Sequence, residues 1–252
     1  MRREKLKQVT KAKRIVVTAV SVALIGIGIN ALAHTRLDIP TMTEGSRTIN
    51  HLVGHTCGSN KAIGFSVVFP DGVDSSVLVN GQPHTGALTD FVEGYGNNAQ
   101  LIFDRSQFDL VDEKMDPSGA NVVGFWGGGG PGVPSNLTVA TRFRLTAPTI
   151  VPTSCAKTVK AYISIAVVCQ VTGTDQFGAE GVVALWTPNN LGTPFDSVEA
   201  GADAPWTINR DLTKSPLPES CGAGVDVEIR PSAAQINRDM PVKINGQQVW
   251  PK

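Results

Sequence analysis

Short apolar runs recur along the chain. AIGFSVVF, SVLVN, QLIFD, NVVGFW, LTVATRFRLT, KTVKAYISIAVV, GVVALW, GVDVEI and PVKI are rich in Val, Ile, Phe and Thr, and Gly, Pro, Asn and Asp punctuate the intervals. Such runs, bounded by turn residues, predict about nine strands. LTVATRFRLT alternates apolar and polar residues, as a half-buried strand of an antiparallel sheet requires. No stretch sustains a helical period. Strands at this spacing predict an all-β chain, an antiparallel β-sandwich of immunoglobulin- or cupredoxin-like type with long irregular loops. A single domain over residues 34–252 accommodates them.

Three stretches break the pattern. FWGGGGPGVPSN, residues 125–136, reads as a flexible or close-packed loop, and it lacks the Gly-Lys-Ser/Thr ending of a phosphate cradle. Residues 187–218 are long, turn-rich and Pro-rich, and read as peripheral decoration. VDEKMD, residues 111–116, clusters three acids with one lysine. It lacks the ordered oxygen-ligand spacing of a calcium loop, so it reads as a solvated turn.

The first 33 residues differ from the rest. MRREKLKQVTKAKR is strongly basic, IVVTAVSVALIGIGI is an apolar run of 15 residues, and Ala31-Leu32-Ala33 is a small-x-small cleavage pattern. Together they predict a secretory signal over residues 1–33, with His34 as the first mature residue and no membrane span after processing. The expected location is secreted, periplasmic or cell-surface. Charge follows the same division. The whole chain balances 22 Lys and Arg against 22 Asp and Glu, but removal of the leader leaves 15 against 21, a net charge of −6. An acidic surface repels phosphate backbones, so nucleic acid is excluded as a partner, while a metal cation is favoured.

An exported chain with four cysteines, Cys57, Cys155, Cys169 and Cys221, is expected to form two disulfides. A strand over KTVKAYIS would hold Cys155 and Cys169 beyond its opposite ends, out of disulfide reach of each other. Cys169 then pairs with Cys57 or with Cys221. No Cys-x-x-Cys pair suggests a thiolate metal site.

All four histidines, His34, His51, His55 and His84, lie near the mature N-terminus. An N-terminal histidine offers its α-amine and its imidazole to one metal, and nitrogen ligands of this kind favour Cu(II). The amine titrates near ~8, so it loses its proton to a metal at ordinary pH. A further imidazole, from His84 or His55, would complete a three-nitrogen histidine brace. Both sit beside turn signals, GHTCG and GQPHTG, whereas His51 reads as a satisfied surface or core residue. Proline before His84 fixes the backbone there, which favours it as a rigid ligand. The chain has no G-x-S-x-G elbow, His-E-x-x-His, dinucleotide fingerprint or EF-hand loop, and no catalytic residue is assigned.

The stretch HTRLDIPTMTEGSRTINHLVGHTCGSNKAIGFSVVFPDGV resembles the start of the YcnI-like secreted copper-binding domains. The matching features are His34, Pro40, Gly45, His55-Thr56-Cys57 and Pro70 to Val73. AYISIAVVCQ followed by EGVVALWTP is similar to that family's later segment, with Cys169 and Trp186 as the matching residues. A second likeness is to MopE and CorA, the copper-repressible surface proteins of methane-oxidising bacteria. These resemblances imply copper as the cofactor, Glu44 as the nearest acid to assist the brace, and Trp186 as a wall of the site or an ordinary core residue.

The function expected is copper acquisition, storage or delivery rather than catalysis, in company with a periplasmic or outer-membrane copper-handling protein. Two alternatives differ in class. A copper-dependent monooxygenase would need an open, aromatic-rich face, and the mature chain has just two tyrosines, Tyr95 and Tyr162. A disulfide-stapled adhesion module would use the β fold without any metal.

Overall fold

The computed structural model describes residues 35–252; the predicted leader, residues 1–33, and His34 lie outside the described residues. The chain opens with β1 (Arg36–Leu37), β2 (Thr41–Thr43), β3 (Arg47–Gly54) and β4 (Ala62–Val68). Short strands follow: β5 (Ser76–Val79), β6 (Gln82–Pro83), β7 (Val92–Glu93) and β8 (Ala99–Leu101). The middle holds β9 (Leu110–Met115), β10 (Val122–Val133), β11 (Val139–Thr146), β12 (Thr149–Ile150) and β13 (Ala156–Val168). Beyond it come β14 (Val183–Trp186), β15 (Ala204–Asn209), β16 (Val225–Arg230), helix α1 (Ala233–Asp239), β17 (Val242–Ile244) and β18 (Gln247–Trp250). Every run read as a strand in the sequence falls on one of these.

Two sheets face each other. The smaller has the order β1-β3-β11-β8; the larger runs β6-β5-β16-β13-β4-β10-β9, with β14, β15 and β2 attached around β13. Pairing is antiparallel except for β13 with β16 and β15 with β2. Leu52, Phe143 and Leu145 from the smaller sheet join Phe65, Phe125, Ile163 and Trp206 from the larger in one buried core. The chain is all-β in architecture, a sandwich as its periodicity predicts.

The apolar run of β4 has a specific cause. Val67 points into the inter-sheet core, whereas its neighbour Val68 belongs to a second apolar cluster on the outer face. Phe125 and Trp126 on β10, and Ile165 and Ala166 on β13, divide in the same way. Side chains alternate across a strand, so an unbroken apolar run marks a strand covered on both faces. The cover here is α1, the β17–β18 hairpin, and Phe177 and Phe195 from the intervening loops.

Disulfides close Cys57 to Cys169 and Cys155 to Cys221. Cys155 immediately precedes β13 and Cys169 immediately follows it, which explains why those two do not pair with each other.

Several expectations are corrected. Residues 125–136 are not a loop, because most of them belong to β10; Gly127 lets the Phe65 ring approach, while Gly129, Gly130 and Gly132 take left-handed φ. The stretch 187–218 contains β15, whose Trp206 is completely buried, so it is only partly decoration. The segment 111–116 lies largely on β9, and its Lys114 is buried rather than solvated. A helix also exists, although seven residues are too few to display a period in sequence. Among the described residues, no helix is long and apolar enough to cross a membrane.

Candidate functional site

Thr35 is the first described residue, and it is buried at 1% exposure. β1 pairs antiparallel with β3, setting Arg36 opposite Val53 and Leu37 opposite Leu52. Thr35 occupies the space above Gly54: a Cβ on Gly54 would lie 2.7 Å from the Thr35 hydroxyl oxygen. Glycine is needed at that point for the two chains to meet. His55 follows directly. It is exposed, and its ring makes no hydrogen bond or ion pair with a described residue. Two residues further on, the Cys57–Cys169 disulfide anchors this end of β3 to the end of β13.

His84 has a different setting, on the chain just past β6 at the edge of the larger sheet. Its Nε2 lies 2.9 Å from the Asp90 carboxylate, and its ring stands edge-on to Phe91 at 4.8 Å. Its backbone N–H donates to the Val77 carbonyl at 2.8 Å. Gly86 makes room for this pair, since a Cβ there would come within 2.4 Å of Nε2. The imidazole is therefore partly committed. His51 lies on β3, 3.6 Å from Asp38.

Both carboxylate oxygens of Glu44 accept backbone N–H groups, from Ile150 at 2.7 Å and from Asp211 at 2.8 Å. The side chain ties two segments together. Trp186 is half-buried on β14, opposite Ile165, and packs on the main core. Among the described residues, no group of three or more His, Cys, Asp and Glu side chains is placed to hold a metal.

Charged groups that the sequence did not single out are more heavily engaged. Lys114 donates from Nζ to the Ser66 hydroxyl at 2.6 Å and to the carbonyls of Asp239, Met240 and Pro241 at the end of α1. Burial pushes its pKa down to about 7, against the nearby Asp239 charge, which favours the ammonium. Arg238 pairs with Asp71, Asp74 and Asp239, and those hydrogen bonds hold its guanidinium well above the ordinary range. Arg210, also buried, has no carboxylate partner among the described residues. It donates instead to the carbonyls of Pro152, Ser154, Ala156, Ser215 and Pro216 around the Cys155–Cys221 disulfide. On the outer face of the larger sheet, Arg230 stacks 3.7 Å from the Tyr162 ring centre and pairs with Asp203, whose pKa burial raises. No residue spacing in the sequence announces these clusters, because their members are brought together by separate elements.

Fold and side chains together define a disulfide-linked β-sandwich with, among the described residues, one exposed, uncommitted histidine close to its N-terminal strand. No protein-family model matches the chain, and no curated protein matches it. Among solved structures, a similar chain is an uncharacterised protein from Nocardia farcinica described as having an immunoglobulin-like fold. The two share 13% identity over 70% of this chain and 97% of that one, with a TM-score of 0.38.

Proposed function

We propose that the protein binds copper outside the cytoplasm, through the amine and imidazole of a processed His34 together with the imidazole of His55, for acquisition, storage or delivery of the metal. The observation that supports this most is the seat of Thr35 on Gly54. The β1–β3 pairing thereby brings the first described residue against the residue that precedes His55. Nitrogen donors so arranged favour Cu(II) over the other common divalent ions. The disulfide two residues beyond His55 restricts the loop that carries it, which lowers the entropy lost on binding. His84 is the weaker candidate, because recruiting it means giving up the contact with Asp90. Glu44 is assigned no role at the metal, since both its oxygens are occupied.

The test is copper titration of the exported protein, after mass spectrometry of its N-terminus. The expected result is a chain beginning at His34 that binds one Cu(II). His55→Ala should weaken affinity by ~10-fold or more, the scale at which even ligand-supporting contacts act, while His84→Ala leaves it unchanged. A different N-terminus removes the amine and overturns the proposal. Collapse in His84→Ala with normal binding in His55→Ala would move the site to the sheet edge. Absence of stoichiometric binding at micromolar protein would favour the metal-free adhesion module.

A further inference from the structure

A groove of about 320 Å³ lies on the outer face of the larger sheet, beneath the β17–β18 hairpin. Every side chain lining it is hydrocarbon or indole, and Gly64, Gly127, Gly128 and Gly129 leave part of its floor bare. Trp126 and Trp250 form walls. At the rim, Leu110, Val171 and Val249 are exposed at 42%, 44% and 37%. They come from β9, the chain after β13, and β18, so three separate elements converge their exposed hydrocarbon on one place. Such convergence marks a binding surface rather than scattered surface apolarity.

A second depression adjoins the first, with Trp126 as their common wall, and it carries charge. Among its cations, Arg238 is held by three carboxylates and Lys114 by backbone carbonyls. Glu113 is turned away, accepting the Leu101 N–H at 2.7 Å. Lys243 is different: it is exposed and forms no ion pair among the described residues. An apolar trough beside one available ammonium is complementary to an amphiphile with a single negative head.

We propose that the groove binds one acyl chain of a medium-chain fatty acid, its methylenes along the glycine floor and its carboxylate at Lys243. The volume stands at the small end of ligand pockets. At roughly 30 Å³ for each water- or methylene-sized unit, it accommodates on the order of ten carbons. This assignment is independent of copper, since the groove contains no histidine.

Dodecanoate below its micellar concentration is the probe, followed by calorimetry and by the fluorescence of Trp126 and Trp250. The expected result is saturable one-to-one binding. Gly128→Leu fills the floor: Gly128 has no left-handed φ, and a Cβ there meets nothing nearer than 3.6 Å. It should weaken binding at least tenfold with an unchanged melting temperature. If Leu at 128 disturbs folding, Val171→Lys at the exposed rim serves instead, with the same expected loss. Lys243→Glu should weaken dodecanoate several-fold and strengthen dodecylammonium. No saturable binding, or equal affinity in the filled variant, overturns the proposal. Binding to phosphatidylglycerol vesicles without binding of the free acid would assign the face to a membrane and likewise overturn it. So would a concentration-dependent dimer that Gly128→Leu dissociates, which would give the groove to a second copy.

Discussion

At the scale of single residues, the polar groups that matter most here are buried ones facing backbone carbonyls. Lys114 is the sharpest case. Its amine sits at the end of α1, where carbonyls are left without helical partners. A pKa of about 7 in the folded protein, against ~10.4 unfolded, has a definite consequence. Between those values the unfolded chain binds more protons than the native one, so stability from this group rises with pH across the window. The slope is at most roughly 1.4 kcal/mol per pH unit. Denaturant melts at about pH 7 and about pH 9.5 should show this rise in the parent, relative to Lys114→Met, which lacks it. A parallel pH dependence in the two proteins would mean that the amine stays charged throughout, held by its four oxygen partners. No sequence pattern exposes this group. Within LVDEKM the lysine reads as solvated, and its burial follows only from the helix that folds over β9.

The elements were legible in proportion to how locally they are encoded. LTVATRFRLT alternates as β11 and pairs on both sides, with β3 and β8, because one of its faces meets the core and the other does not. β10 was hidden by its glycines. FWGGGG has no side-chain alternation over its second half, yet Gly127 is there because the Phe65 ring lies across it, where a Cβ would be 2.5 Å away. Gly124 is tighter still: a Cβ would lie 2.0 Å from the Val67 carbonyl oxygen, on a neighbouring backbone that cannot rotate aside. Gly124→Ala should therefore separate β4 from β10 and cost about 3 kcal/mol, the upper end for overpacking. At about 2–4 °C per kcal/mol for a domain of this size, the melt would fall by roughly 10 °C. An unchanged melting temperature would show that the pair is looser than drawn. Gly128, four residues on, is the contrasting control, because its Cβ position is open. β15 was missed for another reason. Its six residues are embedded in a Pro-rich stretch, and Trp206 and Ile208 are the strong apolar signals within it.

For the molecule as a whole, the all-β sandwich and the two-disulfide pattern were readable because strand periodicity and cysteine spacing are properties of the chain itself. The candidate site was readable only in part. Histidines announce metal chemistry by type, but which of them stay uncommitted depends on Asp90 and Phe91 reaching His84, and on no described residue pairing with the His55 ring. The disulfides have a mechanical side as well. Cys57–Cys169 and Cys155–Cys221 interlock about β13, so a tensile load applied between the two ends of the domain is diverted at Cys57 straight to Cys169. It then runs backwards along β13 to Cys155, jumps to Cys221, and leaves through the C-terminal hairpin. The long spans 58–154 and 170–220 are shunted out of the force path, and between the two bridges the load is carried by β13, gripped on both flanks by β15 and β16 in its first half and by β4 and β14 in its second. Pulled by its ends in a single-molecule experiment, the oxidised protein should extend by only about a third of the length that the reduced protein releases, the share of the described chain left in the force path. Equal extensions would mean that the two bridges do not interlock. The bridges act as a strain limiter as much as a source of thermodynamic stability.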